Sequence, residues 1–274
     1  MTAKTKTVVI PDGLHLIDTH THLYLSDSYP GGESEAAVRR AIDAGVEFMI
    51  LPGINGEAMD EMERLYRAFP DNTALAAGVH PDDLKDDWEA QLAAIRERMK
   101  EGDYIAVGEV GIDLYRDTSK VRRQMEAFET QLGWAAEDRL PVIIHCREGL
   151  DETLEVIGNF SGDELPRLLF HSFTGNVSQA ERVMERVPGA MFGINGVATF
   201  KNAPEVREAV KTIGAGRILL ETDAPYLAPV PMRGTRNESA LLPYIAVSVA
   251  DTLGMDVHEF AEKTTASARR FFGL

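Results

Sequence analysis

Short apolar runs alternate with longer amphipathic segments along almost the whole chain, and this alternation restricts the fold more than any other feature. Eight runs have the length and composition of buried β-strands: residues 14–18, 46–51, 73–77, 104–108, 141–144, 167–170, 190–193 and 217–220. Between them, apolar residues recur at three- and four-residue spacing, which is typical of helices that bury one face. Eight strands that alternate with helices predict an α/β fold, a TIM-type (β/α)8 barrel.

The residues between the runs indicate where helices begin and end. Ser34 is expected to cap the first helix and Gly45 to end it, and Pro204 suits the first position of a later helix. Two helical segments, 242–253 and 257–272, follow the last run. We therefore expect a distorted barrel with an extra C-terminal helix. No linker or repeat interrupts the pattern, so residues 1–274 are expected to form a single domain.

The acidic composition restricts the kind of partner that the protein can have. The formal net charge is −16. Wide, non-specific coating of nucleic acid is not expected, because it requires neutralisation of many phosphates by Lys and Arg. An enzyme that holds phosphates locally, through metal ions and a few arginines, is compatible with this charge.

Cysteine content and hydropathy bear on the compartment. Cys146 is the only cysteine, so no internal disulfide can form, and this suits a reducing environment. No segment approaches the roughly 18 unbroken apolar residues of a membrane span, and the first residues lack the apolar stretch of a secretory signal. We expect a cytoplasmic protein that does not associate with membranes, and no sequence feature indicates an obligate protein partner.

Side chains that can bind a metal ion follow five of the eight runs. They are His20, His22, Glu109, His145, His171 and Asp223. The same ends of parallel strands converge in space, and imidazoles with carboxylates make a site for divalent metal. Taken singly, each residue has a structural alternative, such as a buried core histidine or a loop carboxylate. Taken together, they predict a metal centre at the carboxyl ends of the strands.

Spacing and flanking residues suggest roles within this centre. His20 and His22 are two residues apart, so both can face one ion from an extended segment. Glu109 has Gly111 two residues on, so it can approach ions without crowding and could bridge two of them. Asp223 can combine the roles of ligand and general base. Asp223 and Glu109 are the predicted catalytic residues.

Four neighbours of these residues are less distinctive. Asp18 either supports a ligand or fills the mouth of the barrel, and Asp113 is expected to make a structural hydrogen bond. Glu221 either reaches solvent or supports a neighbouring group. Cys146 is expected to be inert packing, since a lone buried cysteine beside nitrogen and oxygen ligands usually is.

Cations near the predicted centre could hold a phosphate group of a substrate. Arg147 and Arg233 are the main candidates, because the arginine fork matches phosphate geometry, although each could instead be a surface cation. Lys201 and Arg236 are weaker candidates. His80 could donate a hydrogen bond to a phosphate or cap its own loop.

Seven segments, in chain order, resemble the TatD-type metal-dependent deoxyribonucleases, a branch of the amidohydrolase superfamily of barrels. They are IDTHTHL (17–23), GVHP (78–81), VGEVGID (107–113), IHCR (144–147), HSFTG (171–175), LETDAPYL (220–227) and RGTRNE (233–238). The resemblance covers nearly the whole chain and implies phosphodiester hydrolysis at DNA 3′ ends. It also implies two divalent ions, with magnesium expected and zinc, manganese or nickel as alternatives. The implied ligands of one ion are His20, His22, Glu109 and Asp223, and those of the other are Glu109, His145 and His171.

The chain departs from the family directly after its His-Pro pair. Family members often carry a second histidine there, whereas here Asp82 and Asp83 follow Pro81, so negative charge replaces a possible phosphate donor. We predict single-stranded or short DNA ends as the substrate, because few phosphates then need to be held. Hydrolysis of a small amide, ester or lactone is the alternative. A purely structural metal site is disfavoured, because such sites are usually closed, single-ion and rich in cysteine.

Overall fold

Eight parallel strands form one sheet, in which each strand pairs with the next strand along the chain. The computed structural model describes residues 9–274, except for the side chain of Asp163. The strands are β1 (Leu16–Asp18), β2 (Val46–Pro52), β3 (Thr73–Ala77), β4 (Tyr104–Asp113), β5 (Val142–Arg147), β6 (Leu168–Phe170), β7 (Met191–Ile194) and β8 (Ile218–Leu220). This order and direction confirm the predicted (β/α)8 barrel.

Within residues 9–274, nine α-helices accompany the sheet. They are α1 (Glu33–Asp43), α2 (Gly56–Ala68), α3 (Trp88–Glu101), α4 (Val121–Asp138), α5 (Leu150–Ile157), α6 (Val177–Arg186), α7 (Pro204–Ile213), α8 (Leu242–Leu253) and α9 (Val257–Phe272). Helices α1 to α7 each connect consecutive strands, α8 follows β8, and α9 is the predicted extra helix. No single helix of this described part is long and apolar enough to cross a membrane; residues 239–253 and α9 meet that criterion only as a pair, bent by 108°.

The observed first residue agrees with the sequence prediction for α7 but not for α1. Pro204 occupies the first position of α7, as expected. Ser34 does not cap α1, so that expectation was wrong. The helix begins one residue earlier, at Glu33, because Gly32 precedes it in a left-handed conformation with φ of 89°. Glycine adopts this conformation without steric cost.

The barrel is distorted, as expected, in its register and at its closure. The pairing register shifts within the pairs β1–β2, β3–β4 and β4–β5. Closure between β8 and β1 is completed by the segments after the two strands, where Thr21 bridges Ala224. The amide of Asp223 also donates to the carbonyl of His20 at 2.9 Å. The barrel therefore closes through residues that carry or adjoin predicted ligands.

Helix α9 closes the end of the barrel at which the strands begin. Its Thr265 hydroxyl donates to the carbonyl of His15, and the Arg167 guanidinium donates to the carbonyl of Phe271. Phe271 and Phe272 pack with a set of inward-facing strand residues that includes Ile17, Ile50, Leu169 and Leu219. Since one end is filled with apolar side chains, polar side chains that face the barrel axis converge at the other, carboxyl end.

Candidate metal centre

The carboxyl end of the barrel brings all six predicted ligands together. Two follow β1, one lies inside β4, one inside β5, one directly after β6 and one three residues after β8: His20, His22, Glu109, His145, His171 and Asp223. Ligand atoms form three groups, in each of which all atoms lie within 4.8 Å of one another: His20, Glu109 and His171; His20, His22 and Asp223; and His80, Glu109 and His145. The third group adds His80, which the sequence predicted only as a substrate contact or a loop cap.

The first part of the cluster surrounds the Nε2 atom of His20. This atom lies 3.0 Å from His22 Nε2, 3.3 Å from Glu109 Oε2 and 3.8 Å from Asp223 Oδ1. Only one proton can lie between two imidazole nitrogens, so hydrogen bonds alone do not account for the convergence of these four groups. Two imidazoles and two carboxylates around one point are a donor set that fits a divalent cation.

Glu109 connects this first part of the cluster to the second. Its Oε2 faces His20, whereas its Oε1 lies 2.8 Å from His145 Nδ1, 3.3 Å from His171 Nε2 and 3.6 Å from His80 Nε2. Burial alone would raise the pKa of Glu109, but the charges of the surrounding histidines, His171 foremost, hold it well below its ordinary value. The carboxylate is therefore ionised, with its two oxygens directed to different sets of imidazoles.

His145 lies between two carboxylates. Its Nδ1 is 2.8 Å from Glu109 Oε1 and its Nε2 is 2.8 Å from Asp113 Oδ2. Burial lowers the pKa of His145, but the hydrogen bonds to Asp113 and Glu109 outweigh burial and raise it to about 9. Asp113 thus makes the expected structural hydrogen bond. To bind an ion, His145 must exchange one carboxylate for the metal and lose a proton, and its role as a ligand stays a prediction.

Glu221 supports His171 through the ring nitrogen that does not face Glu109. Its Oε1 lies 3.0 Å from His171 Nδ1 and accepts a 2.6 Å hydrogen bond from the Ser172 amide. Glu221 is fully buried. It therefore does not reach solvent, and of its two expected roles it has the second, support of a neighbouring group. Burial lowers the pKa of His171, but the negative charges of Glu221 and Glu109 raise it to about 10. Such carboxylates commonly orient a ligating histidine.

Asp223 is more open to solvent than the other carboxylates of the cluster. Its side chain is 15% exposed, against 4% for Glu109. Its backbone has a φ of 57°, a left-handed conformation that is uncommon for residues other than glycine. Burial raises the pKa of Asp223 to about 6, against the opposing charges of His171 and His22. A carboxylate that reaches solvent beside imidazoles is suited to accept a proton.

Asp18 fixes the residue that precedes Asp223. It is buried, and its two carboxylate oxygens accept hydrogen bonds from the Thr222 hydroxyl at 2.6 Å and the Thr222 amide at 2.9 Å. Asn237 holds the same residue from the other side, since its Nδ2 donates to the Thr222 carbonyl at 2.8 Å. Of the two roles expected for Asp18, support of a candidate ligand is therefore the one observed.

His80 caps its own loop and also faces the cluster. Its Nδ1 accepts a 3.1 Å hydrogen bond from the Asp82 amide, which confirms the loop-capping alternative. Burial lowers the pKa of His80 to about 3, against the charge of Glu109, so a neutral imidazole faces the cluster. Sequence reasoning missed this position, although His80 follows β3 closely, as the predicted ligands follow their strands.

The arginines that were predicted to contact phosphate differ in whether a carboxylate already pairs with them. The Arg147 guanidinium lies 3.7 Å from the centroid of the Tyr115 ring, and that of Arg233 lies 4.2 Å from the Phe200 ring. Within residues 9–274, neither arginine has a carboxylate within 4.0 Å. Arg236, in contrast, pairs with a carboxylate of α1 at 2.9 Å, and this weakens its case further.

Cys146 shows no sign of being a thiolate. Its side chain is half-buried, and burial raises the pKa of the thiol to about 11. The Thr153 hydroxyl contacts its sulfur at 3.5 Å. A protonated thiol that packs against a helix agrees with the inert role expected for it.

Known proteins resemble this chain over most of its length. A family profile described as TatD related DNase matches residues 17–273. A protein of Erwinia tasmaniensis named 3′-5′ ssDNA/RNA exonuclease TatD is 36% identical over 251 residues, which are 88% of this chain and 94% of that protein. The uncharacterized metal-dependent hydrolase YabD of Bacillus subtilis is 35% identical over 259 residues, 94% of this chain and 99% of its own.

Solved structures share the barrel. YjjV, a TatD homologue from Escherichia coli K12, has a TM-score of 0.82 at 28% identity, over 94% of this chain and 98% of that one. An uncharacterized amidohydrolase from Saccharomyces cerevisiae has a TM-score of 0.84 at 18% identity, over 95% and 100% of the two chains. At that lower identity the likeness concerns the fold alone.

Proposed function

We propose that this chain, which belongs to the TatD related DNase family, hydrolyses phosphodiester bonds at the 3′ ends of single-stranded or short DNA. The observation that carries the proposal is the position of Glu109, whose two oxygens face different sets of imidazoles at the open end of the barrel. One carboxylate shared by two sets of ligands is what a two-ion centre requires. The name of the Erwinia relative supports the choice of a 3′ end.

Two divalent ions are the proposed cofactor, with magnesium expected and zinc, manganese or nickel as alternatives. One ion would be held by His20, His22, Glu109 and Asp223, and the other by Glu109, His145 and His171. When bound, such ions lower the pKa of water and polarise a phosphoryl oxygen. The mixture of imidazole and carboxylate donors suits each of the transition metals named.

Asp223 is the proposed general base. With a pKa of about 6, it is ionised at neutral pH and can take a proton from the attacking water. Attack on phosphorus breaks its bond to the 3′-oxygen of the preceding nucleotide, and that oxygen takes up a proton from solvent. The products are a 5′-mononucleotide and a strand shortened by one residue, with a new 3′-hydroxyl. Glu109 is the second proposed catalytic residue, because it links both sets of ligands.

Arg147, Arg233 and His80 are the proposed contacts to the substrate phosphate. Both guanidinium groups lie on aromatic rings, and no carboxylate within the described residues neutralises them. A net charge of −16 leaves little positive surface for a long duplex. The end of a single strand needs only a few such contacts, and for this reason it is the proposed substrate.

The proposal is tested with protein stripped of metal and then reloaded with each of the four ions. Single-stranded DNA labelled at one end or the other should shorten stepwise from its 3′ end only after an ion is restored. RNA of the same sequence, duplex DNA and a panel of esters, amides and lactones are assayed in parallel. If reloaded protein leaves DNA ends intact yet rapidly hydrolyses an ester or amide, the nuclease proposal is wrong.

A further inference from the structure

A cavity of about 490 Å³ opens beside His171, among the loops that follow β4, β5 and β6. This volume is within the range of roughly 300–1,000 Å³ that small-molecule sites have. His171 belongs both to the wall of this cavity and to the candidate metal centre. A group bound in the cavity would therefore adjoin the phosphate at which the strand is cut.

Aromatic rings form part of the cavity wall. Tyr115 is 52% exposed, and the Arg147 guanidinium lies on its ring. Phe173 packs edge-on against Phe192, with ring centroids 5.0 Å apart. The Tyr115 amide donates to Asp113 Oδ1 at 2.9 Å, so the ring is anchored close to the metal centre. Aromatic faces beside an arginine are the usual partners of nucleobases in sites for single strands.

Carboxylates outnumber cations in the part of the wall around the start of α5. Three carboxylates and two guanidinium groups line the cavity. Asp151 pairs with Arg182, but Glu148 and Glu152 have no ion-pair partner in the part of the chain that the structure describes. Helix α5 begins at the cavity, and its N-terminal dipole is equivalent to about half a positive charge. The dipole and the Arg147 guanidinium together supply about one and a half positive charges, fewer than the two negative charges of Glu148 and Glu152, so this part of the wall disfavours a second phosphate group.

We propose that this cavity holds the terminal nucleoside of the strand that is cut and excludes ends that carry a 3′-phosphate. The base lies against Tyr115 and Phe173, and the free 3′-hydroxyl donates its one hydrogen bond to a carboxylate of the pair Glu148 and Glu152. The inference rests on the proposed function and makes it more specific. Each cut leaves a new 3′-hydroxyl, so the same cavity accepts the next nucleoside.

The charge of the wall is tested with two single strands that differ only in a 3′-hydroxyl or a 3′-phosphate. We expect the first cut of the strand with a 3′-phosphate to be about tenfold slower, or more, than that of the strand with a 3′-hydroxyl. This is the size of effect that repulsion between two partly screened like charges produces. The double variant Glu148→Gln, Glu152→Gln should bring the ratio of the two rates towards one. Glu155→Gln, an exposed carboxylate further along α5 that does not line the cavity, should leave the ratio unchanged.

The aromatic wall is tested with a strand whose 3′-terminal base is missing. The kcat/KM of the parent enzyme should be lower by about fivefold or more on this strand than on the complete strand. This is the effect expected when the stacking of one base on an aromatic ring is lost. In the double variant Tyr115→Leu, Phe173→Leu, strands with and without the terminal base should be cut at similar rates. An equal loss from removal of the base in parent and variant would show that these rings do not contact it.

The outcomes separate this inference from the nuclease proposal. If both kinds of 3′ end are cut at the same rate, the cavity does not hold the terminal nucleoside, while the nuclease activity stands. If the cutting rate depended on a phosphate at the 5′ end instead of the 3′ end, the strand would run through the site in the opposite direction. The cavity would then not hold the 3′-terminal nucleoside. If neither strand is cut under any of the four ions, both proposals fail.

Discussion

Gly193 lies against the Glu221 carboxylate, and the absence of a side chain there is what lets Glu221 reach His171. A Cβ atom at Gly193 would lie 2.0 Å from Glu221 Oε2, and Glu221 is fully buried, so it cannot move aside into solvent. The position of one proposed ligand, His171, thus depends on a residue that is not itself a proposed ligand.

Gly193→Ala is expected to weaken metal binding. Displacement of Glu221 removes the carboxylate that orients His171, and loss of such support typically costs about 10–100-fold in metal affinity. Isothermal titration with manganese would measure this loss. Gly189→Ala is the matched control, because a Cβ atom there meets nothing within 4 Å. Equal affinities in the two variants would contradict the supporting role of Glu221.

Asp223→Asn is expected to keep the fold but to slow hydrolysis by about 10²–10⁴, the usual range for loss of a general base. Asparagine keeps the shape of the side chain and cannot take the proton. Single-turnover rates on 3′-hydroxyl strands, with the metal content of each preparation measured, would separate slower chemistry from lost ions. A variant that carries its full complement of metal and cuts at the parent rate would show that Asp223 is not the base.

The burial of Glu221 and the structural role of Gly111 could not be predicted from the sequence. Glu221 follows a strand, as a solvent-exposed loop carboxylate also can, and only the structure shows that it is fully buried. Gly111 was interpreted as making space for ions around Glu109. In the structure it lies inside β4, where a Cβ atom would stand 2.0 Å from the His145 carbonyl oxygen, so it serves the close approach of β4 and β5.

At the scale of elements, periodicity predicted the eight strands and nine helices and was least accurate at their ends. Strand β4 extends to Asp113, five residues beyond the predicted run. Gly108 and Gly111 both lie within β4, where neighbouring chain segments approach too closely for a Cβ atom. The start of α1 was missed for a related reason, since the conformation of Gly32 cannot be inferred from residue type alone.

Glu63 links three elements, and it gives a pH-dependent contribution to stability. It lies on α2 and accepts hydrogen bonds from Arg98 of α3 at 2.6 Å and from Tyr104 of β4 at 2.5 Å. The hydrogen bond from Arg98 outweighs burial and holds the pKa of Glu63 below its ordinary value of 4.5. The ionised group therefore stabilises the fold above pH 4.5, and this contribution is lost as the pH falls through the lowered pKa.

Glu63→Gln is expected to lower the free energy of unfolding at pH 7 by about 0.5–1 kcal/mol. The difference from the parent should stay constant down to about pH 5 and shrink at lower pH. Urea unfolding over this range would measure it, with Glu185→Gln on the exposed face of α6 as control. A difference that grows as the pH falls would contradict the direction of the pKa shift.

At the scale of the whole molecule, the net charge of −16 limits how nucleic acid can be held. If Arg147 and Arg233 make the main contacts to phosphate, the slope of log affinity against log salt should have a magnitude of about two or less. Binding of a single strand to the calcium-loaded Asp223→Asn variant, measured at several salt concentrations, gives this slope. A magnitude near ten would require an extensive basic surface, which a net charge of −16 disfavours.

The central claim is that one carboxylate, Glu109, joins two sets of ligands into a centre for two divalent ions. Diffraction from crystals soaked in manganese, with anomalous data collected near the manganese edge, tests this directly. We predict two anomalous peaks beside Glu109, one near His20 and His22 and the other near His145 and His171. A single fully occupied peak under saturating manganese, with no second peak in the cluster, would contradict the claim.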